Sequence, residues 1–349
     1  MSSRYSLLTL LGLSTAMLSA CGGATSTATP APDAPAPGVQ GPGGPTAAVP
    51  PSAAPAPAAG AACGSTASTL LASGEGVPSA IEADETRVYW LTHAGAGADG
   101  GVKLRTVAKC GGPVTTLATG PYFAEGLTQD ATTLFFATST GSGQGAIVSV
   151  PKAGGAATIL RQGTFRPAGV AVDDTSLYWA DPFEHAVYKL PKSGGAPVLV
   201  ASGLAPKGLT SPTSVGVNGS HVFAAGAEGV WKIPVAGGTP ELRLEQSTLA
   251  LRAAGDDFVV ASGSGIFALY SAEGTTKRLS AGGNGLCASG RHIAFVSGEI
   301  VAVHRVPLLG GVDEIVVESG AKGPGAIACD ATAAYWAGGG QITRSSLLP

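Results

Sequence analysis

From residue 63 to its end the chain is a succession of short apolar runs broken by Gly, Pro, Asp or Asn. The runs are four to six residues of Val, Ile, Leu and aromatics, or alternate apolar with polar, and none keeps a helical spacing. That pattern predicts strands joined by tight turns. One run recurs seven times, as VYWLT (88–92), LFFAT (134–138), LYWAD (177–181), VFAAG (222–226), FVVAS (258–262), IAFVS (293–297) and AYWAG (334–338). Its third residue falls at 90, 136, 179, 224, 260, 295 and 336, so six intervals cover 246 residues and average 41.

Each unit has one internal order. A short strand ends in a turn carrying Asp84, Asp130, Asp173, Asn218, Asp256 or Asp330, and the aromatic strand follows. An alternating strand such as AVYKLPKSGG (186–195) comes next, then a Gly-Gly turn and a strand such as PVLVASG (197–203). Four strands per unit of about 41 residues predict an all-β chain, a seven-bladed β-propeller over residues 63–349. The ends supply a separate argument. The last unit stops after QITRSSLLP (341–349) without a fourth strand, while STLLASG (68–74) has the fourth-strand pattern and no blade of its own. Pairing the two completes the last blade with an N-terminal strand and leaves no open edge.

The first 62 residues follow a different pattern. Arg4 precedes an apolar run from Leu7 to Leu18, and residues 1–20 read as a cleaved export signal. The segment ends Leu18-Ser19-Ala20-Cys21, which resembles the lipobox of bacterial lipoproteins. The resemblance implies that Cys21 becomes the mature N-terminus and carries lipid. Gly22 stands where many such proteins carry the Asp that retains them at the inner membrane, which implies a cell-envelope protein at the outer membrane. Of the 41 residues 22–62, 14 are Ala, 10 Pro and 7 Gly, with Asp33 the sole charge. Such a segment has too little to bury to offset the entropy of ordering, so 21–62 reads as a lipidated Cys and a disordered tether.

Composition narrows the function classes. Charged residues are 12% and the net charge is −3, which argues against nucleic acid as a partner. Tyr178-Trp179-Ala180-Asp181, followed by AVYKLPKSGG, resembles the YWTD repeats of lipoprotein-receptor propellers; Tyr89-Trp90 and Tyr335-Trp336 keep the aromatic pair. Seven units stand here where that family has six, and the likeness fades in blades four to six. It implies the fold and extracellular protein binding, and carries over no catalytic residue. NHL-type and streptogramin-lyase-like propellers are similar as well.

Most candidate chemistry reads as structural. GAGADG (95–100) matches a dinucleotide fingerprint but lies between two strands rather than before a helix, so no cofactor is expected. The Asp turns lack the converging oxygens of a calcium loop, and no two histidines stand at metal-ligand spacing, so no metal is expected. His93 and His185 lie in loops that could reach a central channel, the one route to a lyase-like or hydrolase site at its mouth; His221, His292 and His304 read as packed or turn residues. With Cys21 removed, Cys63, Cys110, Cys287 and Cys329 remain, an even number suited to an oxidising compartment. Repeat alignment places Cys63 beside Cys110 and Cys287 beside Cys329 in neighbouring blades.

The expected reading is a monomeric, membrane-anchored, extracytoplasmic binding module, with an enzyme as the alternative. Loops joining strands two and three, and those joining one blade to the next, share one face of a propeller. In this chain they are the long and varied ones, clustered in blades one to four. Tyr122, Phe123, Phe165, Arg166, Phe183 and Glu184 are the candidate anchors for a protein or glycan partner.

Overall fold

The computed structural model describes residues 63, 68–94, 101–120, 123–140, 143–203, 212–270, 273–283, 285–297, 300–322 and 325–347. Cys21 and the rest of 1–62, Tyr122 and the loop 95–100 lie outside them. Twenty-eight strands form seven four-stranded antiparallel sheets. Strand β1 (Ser68–Ser73) comes first. Blade one is β2 (Val77–Ala83), β3 (Arg87–Ala94), β4 (Gly101–Ala108) and β5 (Thr115–Gly120); blade two is β6 (Phe123–Gln129), β7 (Thr133–Ser139), β8 (Gln144–Pro151) and β9 (Thr158–Thr164). Blade three is β10 (Val170–Val172), β11 (Ser176–Asp181), β12 (Ala186–Pro191) and β13 (Val198–Ser202); blade four is β14 (Pro212–Asn218), β15 (His221–Gly226), β16 (Val230–Pro234) and β17 (Glu241–Leu244). Blade five is β18 (Thr248–Ala254), β19 (Asp257–Ser262), β20 (Gly265–Leu269) and β21 (Thr276–Ser280); blade six is β22 (Gly285–Ser289), β23 (His292–Ser297), β24 (Ile300–Pro307) and β25 (Glu314–Lys322). Blade seven is β26 (Ile327–Cys329), β27 (Ala333–Gly338), β28 (Gln341–Ser346) and, at its outer edge, β1. There β1 runs antiparallel to β28, with Thr69 opposite Arg344 and Ser73 opposite Gln341, and a bulge between Leu70 and Ala72. The N-terminal strand closes the ring.

The register repeats without drift. Trp90, Phe136, Trp179, Ala224, Val260, Phe295 and Trp336 lie opposite Ile81, Leu127, Val170, Val215, Leu251, Leu286 and Ile327 on the innermost strands. Adjacent residues of a strand face opposite sides of its sheet, so the Tyr-Trp dipeptide serves two interfaces. Trp90 packs toward blade seven while Tyr89 packs toward blade two. Each of seven apolar clusters fills one blade-to-blade interface. One expectation is corrected by this register. Asp256 lies in the β18–β19 turn, but two residues beyond the repeat position of Asp84, Asp130, Asp173, Asn218 and Asp330, which in blade five is Ala254; Gly255 and Asp256 are the two residues between the paired Ala254 and Asp257.

A carboxylate clasp ties the blades that keep the motif. Asp84 Oδ1 accepts from the amides of Thr86 and Arg87, both at 2.9 Å, and Oδ2 accepts from the Tyr89 hydroxyl at 2.8 Å. Lys152, from the turn after β8 in the next blade, pairs with the same carboxylate at 3.3 Å. Asp330 repeats this with Tyr335 (2.9 Å) and Lys109 (2.6 Å), and Asp130 with Lys192 (2.8 Å). Burial opposes ionisation at Asp84, Asp130 and Asp330, but their amide, hydroxyl and lysine partners more than offset it and hold the carboxyls below the usual range.

Both disulfides form as the repeat alignment places them. Cys63 joins Cys110 with Cα atoms 4.9 Å apart, and Cys287 joins Cys329 at 5.8 Å, within the span a disulfide bridges. The first ties the chain ahead of β1 to the turn after β4. The second staples β22 to β26 on the channel wall.

Candidate functional site

The innermost strands enclose a channel. One cavity of about 450 Å³ opens on the face that carries the blade-to-blade connections; another of about 250 Å³ opens at the Asp-turn end, and the two share wall residues Leu127, Val170, Val215, Arg252 and Ile327. At the wider mouth each blade contributes one small residue, in order Ala80, Gly126, Gly169, Ser214, Ala250, Gly285 and Ala326. Neighbouring backbones come so close there that a Cβ on Gly169 would lie 2.7 Å from Ser214 Cα, and one on Gly126 would lie 2.9 Å from the Ala168 carbonyl.

Glu82 on β2 and Arg252 on β18 bring opposite charges to the narrower end. Gln129 Nε2 donates to Glu82 Oε2 at 3.4 Å and to the Ala83 carbonyl at 2.8 Å, while its own Oε1 is buried without a protein partner. Glu82 keeps some contact with the open channel, yet protein surrounds its carboxyl. Burial pushes its pKa up, against the opposing pull of Arg252, the Gln129 bond and Lys152. Glu82 and Gln129 hold the repeat positions that Cys287 and Cys329 hold in blades six and seven. One inter-blade seam is thus polar and its counterpart covalent.

The ionisable groups lining the wide mouth are Glu125 and Arg252; no histidine lines either cavity among the described residues. His93 packs its ring 5.6 Å from that of Phe123, and His185 sits exposed in the turn after β11 with φ of 51°. Neither reaches the channel wall. Among the described residues no group of three His, Cys, Asp or Glu side chains is placed to hold a metal.

The candidate anchors divide. Phe123 is 59% exposed and Phe183 68%, and Glu184, next to Phe183, and Arg166 are exposed as well. Tyr122 lies outside the described residues. Phe165 is corrected: it is 5% exposed, its ring 6.0 Å from Trp179 and beneath the Arg161 guanidinium at 4.7 Å. The connection from β9 to β10 turns Phe165 inward onto the aromatic strand of the next blade, so it is core rather than contact surface.

Sequence reasoning missed the residue that builds this loop face. Asp181, last of the Tyr-Trp-Ala-Asp run, is fully buried. Its Oδ2 accepts from the Arg166 amide at 3.0 Å, and its Oδ1 from the amides of Phe183 (2.9 Å) and Glu184 (3.1 Å). A single carboxylate positions three of the five described anchors, and the Tyr188 hydroxyl donates to Glu184 Oε2. The signal was the Asp at the end of the best motif copy. Val77 and Leu249, at the starts of β2 and β18, add two exposed apolar side chains to the same face.

No protein-family model matches the chain, and no curated protein sequence matches it either. Solved structures do. Virginiamycin B lyase from Staphylococcus aureus is similar with a TM-score of 0.63 at 14% identity, covering 80% of this chain and 98% of that one. The WD40 β-propeller domain of Doa1 gives 0.61 at 14% identity, covering 81% and 96%. A chain of the mitotic checkpoint complex gives 0.59 at 12% identity, covering 83% and 98%. At these identities the likeness establishes the propeller fold alone.

Proposed function

We propose that this chain is a lipid-anchored, extracytoplasmic binding module that presents its loop face to a protein or glycan partner. The observation that carries the reading is the group of exposed apolar residues on that face, Val77, Phe123, Phe183 and Leu249, with the loops of blade three held by buried Asp181. Exposed aromatics on a pre-ordered loop give contact area at low entropic cost. The lipobox resemblance and the Pro/Ala/Gly tether of 21–62 support an acylated Cys21 and an outer-membrane location, and two disulfides suit an oxidising compartment. A similar propeller chain belongs to a mitotic checkpoint complex, which makes protein binding by this fold unexceptional.

Two experiments test the reading. Cys21→Ser moves the protein from the membrane fraction to the soluble one; retention in the membrane overturns the anchor. A photo-crosslinking residue at Phe183 captures a discrete adduct in intact cells, while one at exposed Val312 in the turn before β25, on the opposite face, does not. Equal crosslinking from both faces overturns the assigned surface.

A further inference from the structure

Blade six departs from the other six at two positions at once, and a hydroxyl that recurs in the repeat stands beside them. Opposite the aromatic-strand residue Phe295 stands His304. The equivalent residues elsewhere are Arg105, Val148, Tyr188, Trp231, Phe267 and Thr343. Two residues past Phe295 is Ser297, at a position where blades one, two and five also carry a hydroxyl, on Thr92, Thr138 and Ser262; two residues before Ile315, the β25 partner of His304, is Asp313. Blades one to four place Val114, Ala157, Pro197 and Pro240 where Asp313 stands. The sister blades pack without a His or an Asp at these two positions, so the fold does not require the pair.

His304 and Asp313 join that hydroxyl in one hydrogen-bonded line. Ser297 Oγ lies 2.6 Å from His304 Nε2, and His304 Nδ1 lies 2.8 Å from Asp313 Oδ1. Ser280, on β21 of blade five, donates to Asp313 Oδ2 at 2.7 Å and fixes the carboxylate from across the blade boundary. The imidazole is stacked on buried Phe295, with centroids 4.7 Å apart and planes 14° from parallel. Because Asp313 accepts, Nδ1 carries the hydrogen and Nε2 offers its lone pair to the Ser297 hydroxyl. Nucleophile, base and orienting acid are each within bonding reach of the next, the geometry that activates a serine whatever the fold. Ser297 closes β23 and is half-buried, and the His304 side chain keeps 15% of its exposure.

We propose that Ser297, His304 and Asp313 form an acyl-transfer site for unhindered carboxylic esters, separate from the channel and from the loop-face anchors. Ser297 Oγ adds to the ester carbonyl carbon as its proton passes to His304 Nε2. The carbon–alkoxide bond then breaks, and the departing alcohol takes that proton. Water adds to the acyl-serine, giving a proton to Nε2; the acid leaves, and Ser297 Oγ recovers the proton. Asp313 is a positioning residue, holding the tautomer and plane of His304.

The full-length protein in detergent is treated with a fluorophosphonate probe and with p-nitrophenyl acetate. The expected result is one label on the peptide bearing Ser297, and ester turnover that Ser297→Ala abolishes while the melting curve is unchanged. Asp313→Asn, which keeps the side-chain shape but no longer enforces the tautomer, slows labelling more than about tenfold at an unchanged fold. Ser280→Ala slows it less. A label elsewhere, equal labelling of Ser297→Ala, or an Asp313→Asn variant that reacts at the parent rate overturns the proposal.

Discussion

The arc through blades seven, one, two and three and the arc through blades four, five and six close the same ring by different chemistry. In the first, each of three interfaces carries a carboxylate that caps its own turn and accepts a lysine from the next blade. In the second, Phe223 stacks on Phe258 at 3.9 Å, the Tyr270 hydroxyl donates to the Leu308 carbonyl at 2.8 Å, and the Cys287–Cys329 disulfide joins blade six to seven. The recurring motif is therefore an interface device rather than a requirement of the blade. Where another device holds the seam, the motif is free to decay, and position 304 is free to become histidine.

The largest test of that contrast is the covalent one. Replacing Cys287 and Cys329 together by Ser opens a constraint spanning 42 residues, and stability falls by about 2–4 kcal/mol, read as the shift in a denaturant midpoint. Cys63 and Cys110 replaced together cost a similar amount but free β1, so hydrogen exchange rises at the edge of blade seven rather than along β22 and β26. If either pair leaves both midpoint and exchange unchanged, the seams do not depend on their bridges.

Clasp removal comes next. Asp330→Ala strips two amides, a tyrosine hydroxyl and Lys109 of their acceptor and leaves the lysine, largely covered, without a counter-charge. We expect about 2–3 kcal/mol, discounted because the carboxylate keeps 27% of its exposure. Asn218→Ala in the second arc removes one amide acceptor and one donor to the Asp256 carbonyl, and costs about 1 kcal/mol. Equal losses at the two sites would erase the distinction between arcs.

Acid titrates the same difference. Asp84, Asp130, Asp173 and Asp330 have folded pKa values below the ordinary one, so their contribution is complete above about pH 4, the unfolded value. It is lost as pH falls through the depressed folded values. Exchange protection at pH 3 should therefore weaken first at the interfaces of blades seven to three, while the stacked and disulfide seams persist. Tyr89, Tyr178 and Tyr335 are shifted upward by burial and their Asp partners, which is stability held below pH 10 and lost as pH rises beyond it through the raised values.

What the chain discloses in advance follows from what is local. The period, the nine-residue offset between each innermost core position and its aromatic-strand partner, the closing strand and both disulfide pairs all depend on repeat position, which the sequence displays. Side-chain direction in loops is not displayed. Phe165 and Phe183 look alike as loop aromatics, yet one is folded onto Trp179 and the other left in solvent. The Lys152–Asp84 pair crosses a blade boundary, and Glu82 and Arg252 come from strands 170 residues apart that only ring closure brings to one channel. The Ser297–His304–Asp313 line escaped for the same reason. Its members are close in sequence, but their shared face is evident only once Phe295 is set opposite His304.

The smallest effect would convert one seam into the other kind. Asp173 has the whole clasp except its lysine: Oδ1 accepts from Thr175 and Ser176 amides at 2.8 Å, and Oδ2 from the Tyr178 hydroxyl at 2.7 Å. The equivalent of Lys109, Lys152 and Lys192 in blade four is Val235, whose amide donates to the Ser220 carbonyl as the lysine amides donate to their own turns. Val235→Lys therefore places an ammonium where three other blades keep one. The Asp173 carboxyl, already below its ordinary value, should fall further, a shift visible by carbon NMR titration. The gain in stability should be small, about 0.5 kcal/mol. Val235 is partly packed against the cluster between blades three and four, and Lys189, which donates to its carbonyl at 2.8 Å, brings a second positive charge nearby. A loss of stability with no change at Asp173 would mean that the lysine stem cannot follow the path it takes in the first arc, and that the two arcs differ in backbone geometry as well as in side chains.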